Sequence, residues 1–432
     1  MTKEGGMNGA GGNNGVRAPG DRRVVVTGMG AVSAAGVGAT ALWQAAREGR
    51  SCIAETQFVR PYRGRIRQSA QVKDFVPEEH LSKDVLPLCD PVTQYLLVAA
   101  DEAMAQAGLD RTERQGPRTA TIIGTGIGGM HTLENGLHLA LIEQGRPYPL
   151  TVPKLIPSSC PAHVSIRYGA TGPSFAVASA CSSASQAIGI GAHMIRAGLV
   201  DRAIVGGTED CLTNSSLLAW EALRVLTPDF CRPFSKGRNG MVLGAGSGVF
   251  ILEAEDVARQ RGALALAELA GYGTSTDAKD HVRSDPQGAA ASMALALQDA
   301  GIAPDSVDYI NAHGTGTFIN DTNEAEALGI IFGEKKPPIS STKPIHGHGL
   351  GAGGALELIV TVNAMREDIA PPTINFREPD EKCPVDAIPN EARAMPIRVA
   401  LSNSFAFGGI NATLVVRKAG GPGAGTGEIT AA

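Results

Sequence analysis

Short apolar runs alternate with amphipathic ones along this chain, in two successive series, and this alternation constrains its fold more than any other feature. In the first series, apolar spacing of period 3.6 predicts helices over residues 94–108 and 182–198. The strands predicted around them are residues 23–30, 119–126, 174–181, 202–207 and 248–255. The second series begins near Ala265, with strands at 307–313, 339–343, 398–405 and 412–416 and helices at 290–301, 324–332 and 350–366. Two such α/β series predict two packed sheets with helices in the outer and central layers.

Composition limits the kinds of protein that this chain can be. Its 432 residues suffice for one large domain or two fused halves. A net charge of −5, with no Lys/Arg-rich run, gives no reason to expect nucleic acid as a partner. No apolar run is long enough to span a bilayer, and the N-terminal residues lack the apolar core of a signal peptide. Seven cysteines without a CxxC pair indicate neither a metal site nor a disulfide framework, and free thiols fit a cytoplasmic protein.

The two ends of the chain differ from the rest. Residues 1–20 and 419–432 are rich in glycine and poor in large apolar side chains, so we predict that both are disordered tails. The folded part between them divides where the second series begins. We therefore predict an N-terminal half over residues 21–263 and a C-terminal half over residues 264–418.

Cys181 occupies the most informative position for function. The apolar run 174–181 stops at a corner of small residues, SACSSA, where the helical pattern begins. A thiol at a helix N-terminus lies near unpaired amide N–H groups, which favour the thiolate and make a cysteine nucleophilic. A small buried core residue is the competing interpretation, because most free cysteines are of that kind.

Three further clusters end strands of the second series. Residues 311–317 (NAHGTGT) place His313 where an apolar strand breaks into a Gly/Thr loop, and residues 340–354 (SSTKPIHGHGLGAGG) place His348 before a Gly-rich helix start. Residues 402–411 (SNSFAFGGIN) form a glycine turn flanked by phenylalanines. A single histidine is more often structural than catalytic. Strand ends in open α/β proteins are, however, where ligands usually bind.

Five motifs together resemble those of one enzyme family. They are SACSSA, NAHGTGT followed by NDTNE, STKPIHGHGLGAGG, RPF followed by NGMVLGAG, and NSFAFGG. From Arg23 to Val416 the chain is similar to the β-ketoacyl-acyl carrier protein synthases, condensing enzymes of the thiolase-like superfamily. The order Cys–His–His resembles that of the elongating branch. The resemblance implies the thiolase-like α/β fold, in which two similar halves form two packed mixed β-sheets with α layers (αβαβα).

The resemblance also implies a reaction and its catalytic residues. Cys181 would take an acyl chain from a carrier-protein thioester, with the backbone N–H groups of Cys181 and Phe407 holding the oxyanion. His313 and His348 would then hydrogen-bond the thioester oxygen of malonyl carrier protein as it loses carbon dioxide. The product would be a 3-oxoacyl thioester of fatty acid or specialised lipid synthesis.

Other residues receive supporting roles from the same resemblance. Lys343 would supply positive charge and orient the two histidines, or it would form a structural ion pair with Asp321 or Glu324, which match acidic support positions of the family. These two roles are compatible. His346 has no counterpart in the family pattern, so we expect an ordinary loop residue there.

The expected partners are thioesters and the protein that carries them. Thr315 and Thr317 would hydrogen-bond the phosphopantetheine arm of an acyl carrier protein, so the enzyme itself would need no cofactor. Ile127 would line the acyl pocket near the interface of a homodimer. A heterodimer with a related subunit is the alternative assembly.

The last loop departs from the family pattern. Ala406 stands where elongating members commonly have glycine, and Ile410 where they have threonine. Ala245 stands where they have an acid that we assign to a loop facing this one. A Cβ at position 406 restricts the backbone, and loss of the acid removes a latch. We therefore predict an acyl gate with altered movement and altered substrate choice.

The carrier-docking surface also departs from the pattern. Relatives carry Lys/Arg around the pocket mouth, whereas this chain has apolar residues at 85–88 (VLPL) and 149–150 (PL), and retains Arg224. Buried loop residues are one interpretation of these stretches. The other is a docking site for a specialised carrier or for a paired synthase subunit.

Parts of the sequence also suggest three rival functions. A non-catalytic, chain-length-setting partner subunit generally loses the nucleophile, which this chain retains. Nucleotide binding through the loop at residues 124–129 (GTGIGG) is weakly indicated, because no GxxxxGK[ST] motif and no Rossmann acid accompany it. A type II polyketide or polyene ketosynthase would use the same mechanism and stays open.

Overall fold

The computed structural model describes residues 22–109 and 111–420. Of the two predicted disordered tails, residues 1–20 and 421–432 lie outside these ranges, and only residues 419 and 420 of the second tail are described. Within them the chain forms strands β1 Val24–Ser33, β2 Gly36–Val37, β3 Ala54–Glu55, β4 Gln68–Ser69, β5 Thr119–Gly124, β6 Ser174–Val177, β7 Arg202–Glu209, β8 Gly246–Ala254, β9 Ala267–Thr276, β10 Tyr309–Asn311, β11 Ile339–Ser340, β12 Ile369–Ala370, β13 Arg393–Ala394, β14 Val399–Ala406 and β15 Ile410–Lys418.

Thirteen helices lie between or beside these strands in the described ranges, including one at each of the five predicted positions. They are α1 Ala39–Glu48, α2 Pro77–His80, α3 Pro91–Gln106, α4 Met130–Leu141, α5 Thr151–Leu155, α6 Ser159–Tyr168, α7 Ser183–Arg196, α8 Asn214–Ala222, α9 Glu255–Gln260, α10 Pro286–Ala300, α11 Phe318–Phe332, α12 Lys343–His346 and α13 Gly353–Glu367. The longest described helix has 16 residues, and none of the described helices is long and apolar enough to cross a membrane.

Two groups of five strands repeat one topology. The first runs β6–β5–β7–β8–β1 and the second β11–β10–β14–β15–β9. In each group the first three strands are parallel and the last two pair antiparallel. Among the described strands, the two groups pair with each other only near the starts of β1 and β9, where Val25 pairs with Glu268 and Val26 with Ala267. The α/β fold built from two similar halves, each with a mixed sheet, is thus confirmed.

The helices also repeat between the two halves. Helix α3 packs on β1 and β8, and α10 packs on β9 and β15, which are the equivalent strands. A Cβ on Gly28 of β1 would overlap the backbone of Ala103 in α3, and one on Gly271 of β9 would overlap the backbone of Ala296 in α10. Glycine at equivalent points lets each outer helix approach its sheet closely.

Helices α7 and α13 form the central layer and pack against each other. Helix α7 contacts strands of both groups, and α13 contacts β14, β15, β1, β7 and β8. Every residue of α13 from Gly353 to Met365 is buried, as expected for a helix whose sequence is small or apolar almost all round. Helix α7 begins two residues after Cys181 and α13 begins five residues after His348, so the central layer positions both predicted catalytic residues.

Candidate active site

Cys181 lies in a tight turn between β6 and α7. The predicted strand ends earlier than expected, at Val177, because Ala180 has a left-handed φ of 49° and a 3₁₀ turn spans Ala180–Ser182. Two serine hydroxyls brace the turn, Ser182 donating to Ser179 O at 2.8 Å and Ser183 to Ala180 O at 2.7 Å. Backbone strain held by surrounding hydrogen bonds is typical of functional positions. The turn places the Cys181 thiol at the start of α7.

His348 faces this thiol. Its Nε2 lies 3.1 Å from Cys181 Sγ, and its Nδ1 accepts the backbone N–H of Leu350 at 3.3 Å. We infer from this acceptor role that the neutral ring carries its proton on Nε2. The neighbouring stretch 242–244 holds the His348 backbone, because His348 N donates to Val242 O and Gly244 N donates to His348 O.

His313 completes a three-residue cluster. Cys181 Sγ and a ring nitrogen from each histidine lie within 4.8 Å of one another. The two imidazole rings are 5.3 Å apart at an interplanar angle of 79°. Lys343 Nζ lies 3.4 Å from His313 Nδ1 and also donates to the His313 carbonyl. Lysine can only donate, so Nδ1 accepts and Nε2 carries the proton. Both histidines are therefore N–H donors.

The buried ion pair of Lys343 differs from the one predicted. Its ammonium group pairs with Glu357 of α13, and both side chains are 1% exposed. The expected pairing with Asp321 or Glu324 is wrong, because those carboxylates are occupied by backbone N–H groups and by Arg238. Sequence reasoning missed Glu357. The signal available was a single carboxylate within the otherwise apolar or small segment GGALELIV.

Asp321 and Glu324 hold the loop that carries His313. Glu324 accepts the backbone N–H groups of His313 at 2.8 Å and Gly314 at 2.7 Å. Asp321 accepts those of Phe234 at 2.8 Å and Gly316 at 3.2 Å, and its Oδ2 lies 3.5 Å from Arg238 Nε. The structure thus places both acids beneath the loop, which is the position expected of a support shell.

A cavity of about 290 Å³ leads to the cluster. Thr315 and Thr317 line it, and their hydroxyls are 2.8 Å apart. Ala406 and Phe407 also line it, and the Phe407 ring stacks on Trp220 with centroids 5.8 Å apart. The predicted pantetheine-contacting and gate residues therefore meet Cys181 around one space. The roles of the Cys181 and Phe407 N–H groups as an oxyanion hole stay a prediction.

Ala245 does not face the last loop, residues 406–411, which we call the gate loop. It is fully buried, and its N–H donates to Ala70 O at 3.0 Å in the stretch that holds His348. The prediction that the facing loop has lost its acid is wrong, because Asp277 occupies that place. Asp277 Oδ1 accepts from Asn411 Nδ2 at 2.7 Å, and its N–H donates to Gly409 O at 2.9 Å. The gate loop keeps an acidic latch, supplied by the loop after β9.

Two other residues lie in surroundings that differ from those predicted. Ile127 is 41% exposed and is not among the residues that line this cavity, so its acyl-pocket role stays a prediction. His346 is not an ordinary loop residue, because it is fully buried in α12 with Nε2 2.9 Å from Thr342 Oγ1. Burial, then the Lys343 charge, lowers the pKa of His346 to about 3.

The predicted docking stretches are only partly exposed. Val85 and Leu86 pack against the core of the first half, which supports their interpretation as loop residues. Leu88 and Leu150 are 38% and 36% exposed. Arg224 lines the cavity with a left-handed φ of 57°.

Glu209 is a buried carboxylate near the site that sequence reasoning did not find. It ends β7 and accepts the backbone N–H groups of Gly126 at 2.5 Å and Gly351 at 3.2 Å. It therefore ties the loop after β5 to the turn after His348. Glu209 occupies the Gly126 N–H that a phosphate held by the 124–129 loop would need, so nucleotide binding loses its support.

Burial sets the charges of the reacting groups. It raises the pKa of the Cys181 thiol to about 12, although the Lys343 charge acts in the opposite direction. The expected thiolate at the helix N-terminus is therefore not the resting form. Burial first and the Lys343 charge second hold the pKa of His313 and of His348 well below their usual value. The site at rest combines a neutral thiol with two neutral N–H donors.

Cysteine and histidine are also the side chains that ligate soft metals. A divalent cation between Cys181, His313 and His348 would, however, lie beside the Lys343 ammonium, which opposes its binding. The chemistry that the arrangement favours is covalent catalysis on sulfur with hydrogen-bond stabilisation of a developing oxyanion.

Comparison with known families gives two matches that together span most of the chain. Residues 21–258 match the model for the β-ketoacyl synthase N-terminal domain, and residues 266–377 match the model for the β-ketoacyl synthase C-terminal domain. The junction between the two matches falls beside the start of the second strand–helix series at β9.

The alignments with individual relatives cover nearly the whole of both proteins. Nodulation protein E of Rhizobium sp. (strain N33) is 43% identical over 403 residues, covering 92% of this chain and 100% of that protein. The 3-oxoacyl-[acyl-carrier-protein] synthase 2 of Staphylococcus aureus (strain COL) is 39% identical over 409 residues, covering 92% and 99%. The solved ishigamide ketosynthase/chain length factor is similar at a TM-score of 0.88 and 32% identity, covering 92% and 100%.

Proposed function

The chain belongs to the β-ketoacyl synthase family of condensing acyltransferases, and we propose that Cys181, His313 and His348 perform its decarboxylative Claisen condensation. The observation that carries this assignment is the close approach of the three side chains, within 4.8 Å of one another at the base of one cavity. The substrates are an acyl thioester and malonyl carrier protein. The product is a 3-oxoacyl thioester two carbons longer, for fatty acid or specialised lipid synthesis.

In the first half-reaction Cys181 Sγ attacks the carbonyl carbon of the acyl thioester. The C–S bond to the carrier breaks, and the thiol proton of Cys181 ends on the departing pantetheine thiol. The resting thiol form supports this balance, since the proton that leaves one sulfur is the proton needed by the other. Cys181 lies two residues before the start of α7, and the free N–H groups of a helix N-terminus stabilise the negative charge that develops on the thioester oxygen.

In the second half-reaction malonyl carrier protein loses carbon dioxide. The electron pair of the broken C–C bond forms an enolate, whose oxygen accepts hydrogen bonds from Nε2–H of His313 and of His348. Lys343 keeps Nδ1 of His313 as an acceptor, and the Leu350 N–H does the same for Nδ1 of His348. Neutral donors suit this role because their protons are already on the correct nitrogens and need no transfer.

Condensation then releases the enzyme. The carbanion attacks the carbonyl carbon of acyl-Cys181, the C–S bond breaks, and the thiolate takes up one proton from solvent. Thr315 and Thr317 hold the pantetheine arm by hydrogen bonds to its amides during both half-reactions. Phosphopantetheine arrives on the carrier, so we propose that the enzyme has no cofactor of its own.

The carrier is an acyl carrier protein, which the name of the Staphylococcus relative supports for that enzyme. A type II polyketide or polyene ketosynthase is the second candidate, favoured by the similarity to the ishigamide ketosynthase/chain length factor. The two candidates share the site and differ in product. A non-catalytic chain-length partner fits less well, because the Cys–His–His cluster is complete and assembled.

We also propose a cytoplasmic homodimer. All seven cysteines, which lie in the described ranges, are free thiols, as a reducing compartment favours. Strand β6 is an edge strand that pairs with β5 alone among the described strands, and Phe175 on it is 37% exposed. Exposed strand edges are usually covered. Antiparallel pairing of β6 with its copy would cover this edge and bring Ile127 near the interface.

Intact mass spectrometry after mixing with acyl carrier proteins of short to long chain tests the assignment. Cys181→Ala serves as the nucleophile variant, and Cys52→Ala, which removes a more exposed thiol, serves as the control. We expect a chain-length-selective adduct that survives in Cys52→Ala and disappears in Cys181→Ala. An adduct that survives in Cys181→Ala would contradict the assignment.

A further inference from the structure

We propose that an apolar patch beside the cavity mouth docks the carrier protein through apolar contact. The patch consists of Val282, Phe318 and Ile319, which are 52%, 49% and 50% exposed and all line the mouth; we call it the mouth patch. This inference rests on the proposed function, because it takes the occupant to be the protein that delivers the thioester to Cys181.

The position of the mouth patch identifies its occupant. Phe318 and Ile319 begin α11 directly after Thr317, and Val282 lies in the loop between β9 and α10. Any thioester that reaches Cys181 through this cavity brings its carrier against these side chains. Contiguous apolar side chains that stay in water at such a place mark an interaction surface. The carrier must therefore present an apolar side chain beside its phosphopantetheine.

Phe318 is held in its exposed position. The Arg238 guanidinium lies 5.1 Å from the centre of its ring, and the Lys382 ammonium lies 5.0 Å from it. Arg238 is itself fixed, with 1% of its side chain exposed and an ion pair to Asp380 at 2.5 Å. Cation–π contacts hold the aromatic ring in place. A ring that is already ordered loses little conformational entropy when a partner covers it.

The charges around the mouth fit a carrier with an acidic surface. Among the described residues that line the cavity, none is acidic, and Arg224 is basic. Lys382 adds positive charge beside Phe318, whereas the charge of the buried Arg238 is offset by its ion pair with Asp380. The mouth therefore offers an apolar contact within a positive rim, and the apolar part of the affinity should not depend on salt.

The patch also adjoins the gate. His281, next to Val282, accepts the backbone N–H of Gly408 at 2.8 Å. A carrier seated on Val282 would thus lie one residue from a hydrogen bond to the gate loop.

The experiment compares carrier-bound with carrier-free donors in the full chain. The variant is Phe318→Ser/Ile319→Ser, and the control is Ile330→Ser, an apolar residue of the same helix that is 45% exposed and distant from the mouth. Acyl-pantetheine is the carrier-free donor, and Cys181 acylation is followed by intact mass. We expect the ratio of kcat/KM for the carrier-bound donor to that for acyl-pantetheine to fall about tenfold, at both low and high salt. The control should leave the ratio unchanged.

Other outcomes would overturn the proposal. Equal losses with both donors would show that the side chains only shape the cavity, and an unchanged ratio would show that the carrier does not contact them. A changed oligomeric mass in the double variant would make the patch a subunit contact instead. Failure of the proposed function is distinguishable: titration of a fluorescently labelled holo carrier protein measures Kd without turnover. Suppose that the wild-type chain forms no Cys181 adduct but binds the carrier more tightly than the double variant does. That result would support docking and contradict catalysis.

Discussion

Lys343 and Glu357 form an ion pair in the interior of the molecule, between the short helix that follows β11 and the central helix α13. The same ammonium group reaches His313, so one cation connects the central layer with a proposed oxyanion donor. Removing one partner of such a buried pair strongly destabilises the folded protein, because the remaining charge is left without a partner. Its structural and catalytic effects can be separated by substitution.

Lys343→Met should lower the free energy of unfolding by about 3 kcal/mol, since Glu357 is left unpaired. Lys343→Met/Glu357→Leu should recover most of that loss, because neither charge remains. Both variants should decarboxylate malonyl carrier protein at least about tenfold more slowly than the wild type, since neither orients His313. Urea denaturation and carbon dioxide release measure the two effects. If the double variant decarboxylated malonyl carrier protein at the wild-type rate, the role of Lys343 would be purely structural.

Alkylation of Cys181 by iodoacetamide should report a neutral resting thiol. Burial raises its pKa to about 12, so the thiolate fraction, and with it the rate, should rise about tenfold per pH unit from pH ~7 to ~10. A small free thiol, with a pKa of about 8.5, should level off within this range and serves as the control. A rate plateau for Cys181 below pH ~8 would show that the helix N-terminus outweighs burial.

The sequence patterns predict positions along the chain well and partners across it poorly. The strand–corner–helix pattern at Cys181 and the Gly/Thr loop at His313 depend on neighbouring residues, and both lie where expected. The Lys343–Glu357 pair and the contact of Asp277 with the gate loop join segments that are distant in sequence. Helices α4 to α6 were also missed, because several of their apolar side chains are exposed and give no clear periodic face. Burial, which makes Cys181 a neutral thiol and not the expected thiolate, depends on how the layers pack and cannot be predicted from neighbouring residues.

Glu209 should make stability depend on pH in a way that its glutamine variant does not. Burial raises its pKa to about 7, from 4.5. For an acid with a raised folded-state pKa, the free energy of unfolding is highest below the unfolded-state pKa, falls as pH rises from that pKa to the folded-state pKa, and is level above it. The wild type should therefore lose up to about 3 kcal/mol relative to Glu209→Gln between pH ~4.5 and ~7. Urea denaturation of both proteins measures this difference, and a difference that is constant with pH would contradict it.

Ala406 should narrow the range of acyl chains that the enzyme accepts. Its side chain is 5% exposed at the end of β14, beside Phe407, and Ala406 pairs with Ile410 across the turn. Ala406→Gly frees the backbone at this point, while the Asp277 latch stays in place. We expect the ratio of kcat/KM for long and short acyl donors to change about threefold or more. Asp277→Ala, which releases the latch without changing the cavity wall, separates gate mobility from cavity shape. An unchanged ratio in Ala406→Gly would show that the Cβ has no part in selection.

A proline on strand β6 should prevent the proposed dimer without disturbing the existing sheet. Thr121 N donates to Pro173 O and Thr125 N donates to Val177 O. In a parallel ladder alternate residues face the same neighbour, so residues 173, 175 and 177 bond β5 and Ala176 points its N–H away from it. Ala176→Pro therefore removes only an outward donor. Analytical ultracentrifugation should give the wild type twice the chain mass of 44.6 kDa and Ala176→Pro that mass once. Ala176→Ser, which keeps the N–H, should remain dimeric, and a dimeric Ala176→Pro protein would place the subunit contact elsewhere.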